Sequence, residues 1–242
     1  MNWSLILESV PALLYGALAT VQLLLMTLVC GALLALPLGI VAANGRPIFR
    51  LPVMGYITFF RGTPLLVQVF LVYYGFSQFQ IVRSSIFWPV LREAWFCALL
   101  TLALHTAAYT ANMLRGAILA IPAGQKEAAV ALGMRPSLIY RLVILPQALR
   151  IGMPAYGNEM ISMMKATSLA STITIMELTG TANTIVARTY APYEVFISAA
   201  LVYLCVAWML SRLVRAIEAR LSRHMRPAVE AKNTLRRVPA HA

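Results

Sequence analysis

The chain has 242 residues, 60% of them hydrophobic and 12% charged, with a formal net charge of +12. An apolar share this far above that of a soluble domain defines an integral membrane protein, one domain of about five or six helices with short connections. Nucleic-acid binding is excluded as the meaning of the charge, because the arginines and lysines fall between apolar segments and in the C-terminal tail rather than along one stripe.

In chain order, residues 1–15 read as mildly amphipathic and interfacial, with Trp3 and Tyr15 as anchors, and no basic n-region precedes the first apolar segment, which is expected to stay in the protein. A first uncharged span covers 16–44, and Arg46, Pro47, Arg50 and Pro52 then make a basic turn. The second span, 56–79, is interrupted by Arg61-Gly62-Thr63-Pro64. Gly and Pro at membrane depth free backbone groups that only protein or water can satisfy, so the break is expected to face the bundle. Arg61 reads either as a snorkelling anchor or as a ligand contact.

A hydrophilic connection with Arg83, Arg92 and Glu93 leads to the third span, 94–113, where His105 and Tyr109 share a face one turn apart and suit hydrogen bonding to a neighbouring helix. Cys30, Cys97 and Cys205 all lie in apolar stretches at no short spacing and read as small buried hydrophobes. Residues 123–146 are charged and punctuated. Gln125 to Leu132 favour a short helix, Gly133 supplies the positive φ that ends it, and Pro136 forces a turn before a second helix climbs back.

The fourth span, 151–176, is the least apolar, holding Asn158, Glu159, Ser162, Lys165 and Thr167. Each charge at membrane depth costs about 2.5–3.5 kcal/mol on insertion scales, so this helix is expected to line the interior. Glu159, helped by Asn158, Ser162 and Thr167, is a candidate contact for a cationic or zwitterionic amine; pairing with Arg or Lys across a subunit interface is the structural alternative. Residues 177–190 read as a polar external connection, 193–213 as the last span, and 223–242 as a basic tail behind a domain of residues 1–222. Arginines concentrate at Arg46/Arg50, between Arg115 and Arg150 and in the tail, which puts those three regions in the cytoplasm and gives five spans with the N-terminus outside and the C-terminus inside.

Glu127-Ala128-Ala129, Gly133, Val143-x-Leu145-Pro146 resembles the EAA loop of the membrane subunits of bacterial ABC importers, with Val143 where the family usually has isoleucine. Phe60 to Gln68, Tyr156 to Ile161, Lys165 to Ala170 and Thr189 to Tyr193 resemble the polar amino acid branch, specifically the M-type subunit of histidine/lysine/arginine/ornithine and opine systems. The resemblance implies an all-α permease of the type I importer fold in the bacterial inner membrane. Its implied partners are a sister permease, an ATPase dimer and a periplasmic binding protein that delivers an amino acid or opine. Coupling would run through Glu127, Ala128, Ala129, Gly133, Arg135 and Pro146. Where relatives usually carry a glutamate, Asn112 stands here, so the ion pair to Arg115 is lost. No phosphate-loop motif occurs, so ATP and Mg are expected on the ATPase and the chain is expected to be no enzyme.

Two rival readings are weighed. An ion-driven secondary amino acid transporter would show paired inverted repeats, which five spans with one such loop do not give. An intramembrane enzyme lacks a nucleophile and base, since His105, His224 and His241 are scattered and aspartate is absent.

Overall fold

The computed structural model describes residues 3–221, and every regular element in that range is helical. Helix α1, Trp3–Asn44, runs 42 residues, about 63 Å at 1.5 Å per residue and roughly twice the hydrocarbon thickness. The stretch 1–15, expected to lie separately at the interface, is from Trp3 onward continuous with the first span. One face of α1 carries small residues that let α6, Ala94–Leu119, approach closely. A Cβ on Gly31 would stand 2.1 Å from the Thr106 methyl, and one on Gly39 2.9 Å from Leu114. Opposite them Ala103, Ala107, Ala108 and Ala111 of α6 are buried. Small residues on both sides replace the hydrophobic effect, which lipid removes, with backbone-close van der Waals packing.

The second predicted span is sharply bent. Helix α2, Pro47–Gly62, and helix α3, Leu65–Phe70, continued by a π-helical turn Leu71–Gly75, meet at 106° across Thr63 and Pro64. Pro64 supplies no N–H, and the orphaned carbonyls find Gln68 instead: its Nε2 lies 3.0 Å from Phe60 O, 3.1 Å from Thr63 O and 2.7 Å from Thr63 Oγ1. Two short helices, α4 (Gln80–Arg83) and α5 (Trp88–Leu91), lead to α6, which runs six residues beyond the predicted end of the third span.

After α7, Ala123–Ala131, the turn α8, Pro136–Leu138, passes through a π-helical turn Ile139–Ile144 into α9, Leu145–Ala166, which ends in a 3-10 turn, Thr167–Ile173. Residues 177–190, read as a polar external connection, form α10, Leu178–Thr189, closed by Tyr190 in the left-handed region at φ 54°. Helix α11, Pro192–Leu221, turns Ile197, Leu201, Leu204, Trp208 and Met209 outward. Cys205 shares that exposed face, so it is not the buried hydrophobe expected, whereas Cys97 is buried and Cys30 half-buried.

Among the described residues three helices are long and apolar enough to cross a membrane, Ser4–Asn44, Ala94–Leu119 and Pro192–Leu221, and the bent α2/α3 pair makes a fourth if taken as one span. Arg150, Asn158, Glu159 and Lys165 keep α9 out of that set. The tail 223–242 lies outside the described residues.

Candidate functional site

Two regions hold the residues singled out above. The first is α7 and the turn behind it. Gly133 has φ +72°, and its amide donates to Val130 O at 2.9 Å while Met134 N donates to Ala129 O, the closure expected of a helix-ending glycine. Pro136 then opens the next helical turn, with Arg135 extended as its N-cap, and Pro146 sits in the first turn of α9. Glu127, Ala128, Val130, Leu132 and Arg135 are exposed.

Ala129 differs from its neighbour Ala128 in the way it faces. It is 5% exposed and packs on Ile139, Ile144 and Ala148, so its small size seats α7 on its own chain; Ala128 is the small residue on the open face. Two side-chain bonds fix the segment. Gln147 Nε2 donates to Gln125 Oε1 at 2.5 Å, and Asn44 Nδ2 donates to Tyr140 Oη at 2.7 Å. Burial pushes the Tyr140 phenol above its ordinary pKa and the bond from Asn44 pulls it back, so it is a neutral hydroxyl at physiological pH.

The second region lies between α2, α3, α6 and α9. The Arg61 guanidinium stands 5.2 Å from the Tyr109 ring centroid. Tyr109 packs on His105 at 4.9 Å, and His105 Nδ1 is 3.1 Å from Gln68 Oε1, so the residues read separately as an anchor and a helix-helix contact form one polar chain. One turn face over, Glu159 Oε1 accepts from Thr106 Oγ1 at 3.4 Å and lies within electrostatic reach of Arg61. Glu159 is half-buried, and no shorter hydrogen bond holds it among the described residues.

The other proposed pathway residues do not gather around Glu159. Asn158 and Ser162 are exposed with Lys165 along the outward stripe of α9. Thr167 is fully buried and donates to Met164 O at 2.6 Å, so its hydroxyl is spent on the helix end. Arg115 Nε is buried and makes no hydrogen bond among the described residues, and the residue at i−3 is the uncharged Asn112.

One polar centre escaped the sequence reading. Glu177 is fully buried at the N-cap of α10. Its Oε1 accepts from Gly180 N at 2.8 Å, and its Oε2 from Tyr203 Oη at 2.9 Å and Thr20 Oγ1 at 3.3 Å; Thr20 in turn receives Leu178 N at 3.1 Å. A glutamate three residues before a glycine at a helix start was the available signal.

A membrane-embedded helical bundle with polar groups between its helices, and a short helix displayed clear of them, is the form of a transport permease. The chain belongs to the family described as binding-protein-dependent transport system inner membrane component, which it matches over residues 35–223. It is 46% identical over 230 residues, 95% of both chains, to the nopaline transport system permease protein NocM of Agrobacterium fabrum. To the octopine transport system permease protein OccM of Rhizobium meliloti it is 47% identical over 211 residues, 87% of this chain and 86% of the other. To the histidine/lysine/arginine/ornithine transport system permease protein HisM of Escherichia coli K12 it is 39% identical over 214 residues, 88% and 90%.

Among solved structures, a chain of an amino acid ABC transporter crystallised with histidines superimposes at TM-score 0.79 with 32% identity, over 91% of this chain and 99% of that one. A chain of the inward-facing methionine ABC transporter MetNI matches at 0.73 and 19% identity, over 87% and 96%, and shares the fold. The protein is an all-helical permease of the ABC importer type, a transport component of an inner membrane.

Proposed function

We propose that this chain is the M-type permease subunit of an ABC importer for opines or basic amino acids, paired with a sister permease, driven by an ATPase dimer that binds ATP and Mg, and supplied by a periplasmic binding protein. It crosses the inner membrane five times, with α9 as the fourth span, the N-terminus periplasmic and the C-terminus cytoplasmic. The observation that carries the substrate class is Glu159: a carboxylate between helices, held by one 3.4 Å contact and within reach of Arg61. A carboxylate left this open, with a guanidinium in electrostatic reach but no ion pair to it within 4 Å, matches a ligand that brings both a cation and a carboxylate. Asn158 and Ser162 serve the pathway from the outward face of α9, and Thr167 serves it only by shaping the helix end. Relatives named for nopaline, octopine and histidine/lysine/arginine/ornithine transport support the same class.

ATP-driven movement enters through α7, where Glu127, Ala128 and Arg135 present the open face to the ATPase, Ala129 seats the helix, and Gly133 and Pro146 set the turn and the restart of α9. Closure of the ATPase then biases a two-state bundle from inward to outward opening. The test is co-expression with the candidate sister permease and ATPase, then ATP hydrolysis in lipid with binding protein loaded with arginine, lysine, histidine, octopine or nopaline. Stimulation by one loaded binding protein identifies the substrate. Gly133→Asp abolishes that stimulation: the site has room for a side chain, with nothing within 4 Å, but puts a charge and a left-handed non-glycine at the open turn. Equal stimulation of Gly133→Asp would remove the coupling role, and uptake without any ATPase would return the ion-driven reading.

A further inference from the structure

The coupling helix has a route into the bundle besides its direct continuation into α9. Tyr140 belongs to the π-helical turn Ile139–Ile144, immediately behind the Gly133 turn, and reaches the last residue of α1, Asn44, 96 positions earlier in the chain. Asn44 is exposed at the end of α1, and Tyr140 is half-buried. Gly45 leaves α1 so tightly that a Cβ there would stand 2.5 Å from Val41 O, which anchors Asn44 at the helix end. Beneath Tyr140, Ala43 of α1 packs in one buried cluster with Ala129 of α7 and with Ile139 and Ile144 of the π turn.

Twenty-four residues up the same helix, about 36 Å at helical rise, Thr20 joins the buried Glu177 and the start of α10. Helix α1, continuous as a helix although Pro37 lies between the two points, is thus tied at one end to the segment behind α7 and at the other to α10 and, through Tyr203, to α11. A π-helical turn is a recurrent device at functional sites, since its extra residue redirects the side chains it carries.

We propose that Asn44 and Tyr140 form a positioning joint for coupled transport, passing displacement of the coupling helix to α1 in parallel with α9. The assignment rests on the coupling role of α7 proposed above. Neither residue touches substrate; they act by holding α1 in step with α7.

The test uses the full transporter with its binding protein in proteoliposomes, and whichever of labelled arginine or octopine stimulates its ATPase. The readout is ATP hydrolysed per substrate accumulated. Asn44→Leu and Tyr140→Phe each raise that ratio about threefold to tenfold, the scale of one hydrogen bond, and the double variant raises it no further. Asn44→Asp, whose carboxylate accepts from the Tyr140 hydroxyl, keeps the ratio near that of the unaltered protein, and loses it when combined with Tyr140→Phe. A merely structural role lowers the amount of assembled transporter and both rates together without moving the ratio. Additive single effects, an unchanged ratio, or equal behaviour of Asn44→Asp and Asn44→Leu would overturn the joint. Should Tyr140→Phe fail to assemble, the two Asn44 variants decide alone. Gly133→Asp runs alongside: if it stays coupled, the role of α7 falls and the joint with it, whereas an uncoupled Gly133→Asp beside coupled Asn44→Leu removes the joint only.

Discussion

Glu177 and Glu159 stand eighteen residues apart, and the chain treats them in opposite ways. Glu177 is sealed in, and both its oxygens are bonded: a backbone amide of α10, a phenol of α11 and a hydroxyl of α1 converge on it within 3.3 Å. Glu159 sits half-buried with one 3.4 Å neighbour. A buried carboxylate is tolerated when its acceptor sites are filled, and filling them ties down the helices that supply the donors. A carboxylate left unfilled, with a guanidinium in reach but not paired to it, contributes little to the fold and remains open to a ligand. The two acids therefore divide structure from function, and the polar content of the region alone does not say which is which.

The largest effect expected from that division is on stability. Glu177→Ala strands the Gly180 amide, leaves the Tyr203 hydroxyl with Thr179 Oγ1 alone at 2.9 Å and opens a cavity, a cost of about 3–5 kcal/mol. Yield and thermal stability in detergent would both fall steeply. Glu177→Gln keeps one acceptor oxygen and puts an NH2 opposite donors, and is expected at about half that cost. Equal melting of Glu177→Ala and the unaltered protein would break the comparison at its structural end.

What was legible in the sequence follows the range of the interactions involved. The segment 123–146 was readable because Gly133 and Pro136 act on their own backbone, and the structure has the short helix, the positive φ and the second helix where those residues put them. The break at Thr63-Pro64 was readable for the same reason, although its 106° angle was not, since Gln68 had to be seen collecting the freed carbonyls. Glu177 was passed over because its partners are Thr20, 157 residues earlier, and Tyr203, 26 residues later. Arg61, His105 and Tyr109 were each noticed, but only the fold joins them to one another. Ala129 shows the limit from the other side, since a motif position identifies a residue type without telling which way a helix turns it.

Next in size is Glu159→Gln. With a single long contact to lose, its melting temperature should shift by no more than about 1 kcal/mol implies, the value of one weak hydrogen bond. Uptake, in contrast, should fall about tenfold or more, because removing one partner of a charge-assisted contact costs at least about 1.4 kcal/mol in substrate affinity or turnover. Wild-type uptake at equal expression would transfer Glu159 to the same class as Glu177 and leave the substrate site to be sought on the Asn158, Ser162 and Lys165 stripe.

The smallest effect sharpens what orients Glu159. Thr106 is its only hydrogen-bonding neighbour among the described residues, and the Thr106 methyl is also what fills the space above Gly31. Thr106→Val keeps that methyl and removes the hydroxyl, so the α1–α6 packing survives and the carboxylate loses its 3.4 Å donor. If Arg61 orients Glu159, uptake should change by about twofold or less, since a bond at that length is weak. Arg61→Gln should then act like Glu159→Gln. A tenfold loss in Thr106→Val with full activity in Arg61→Gln would reverse the assignment, making the hydroxyl of α6 the group that holds Glu159 and leaving Arg61 with Tyr109 as a packing pair.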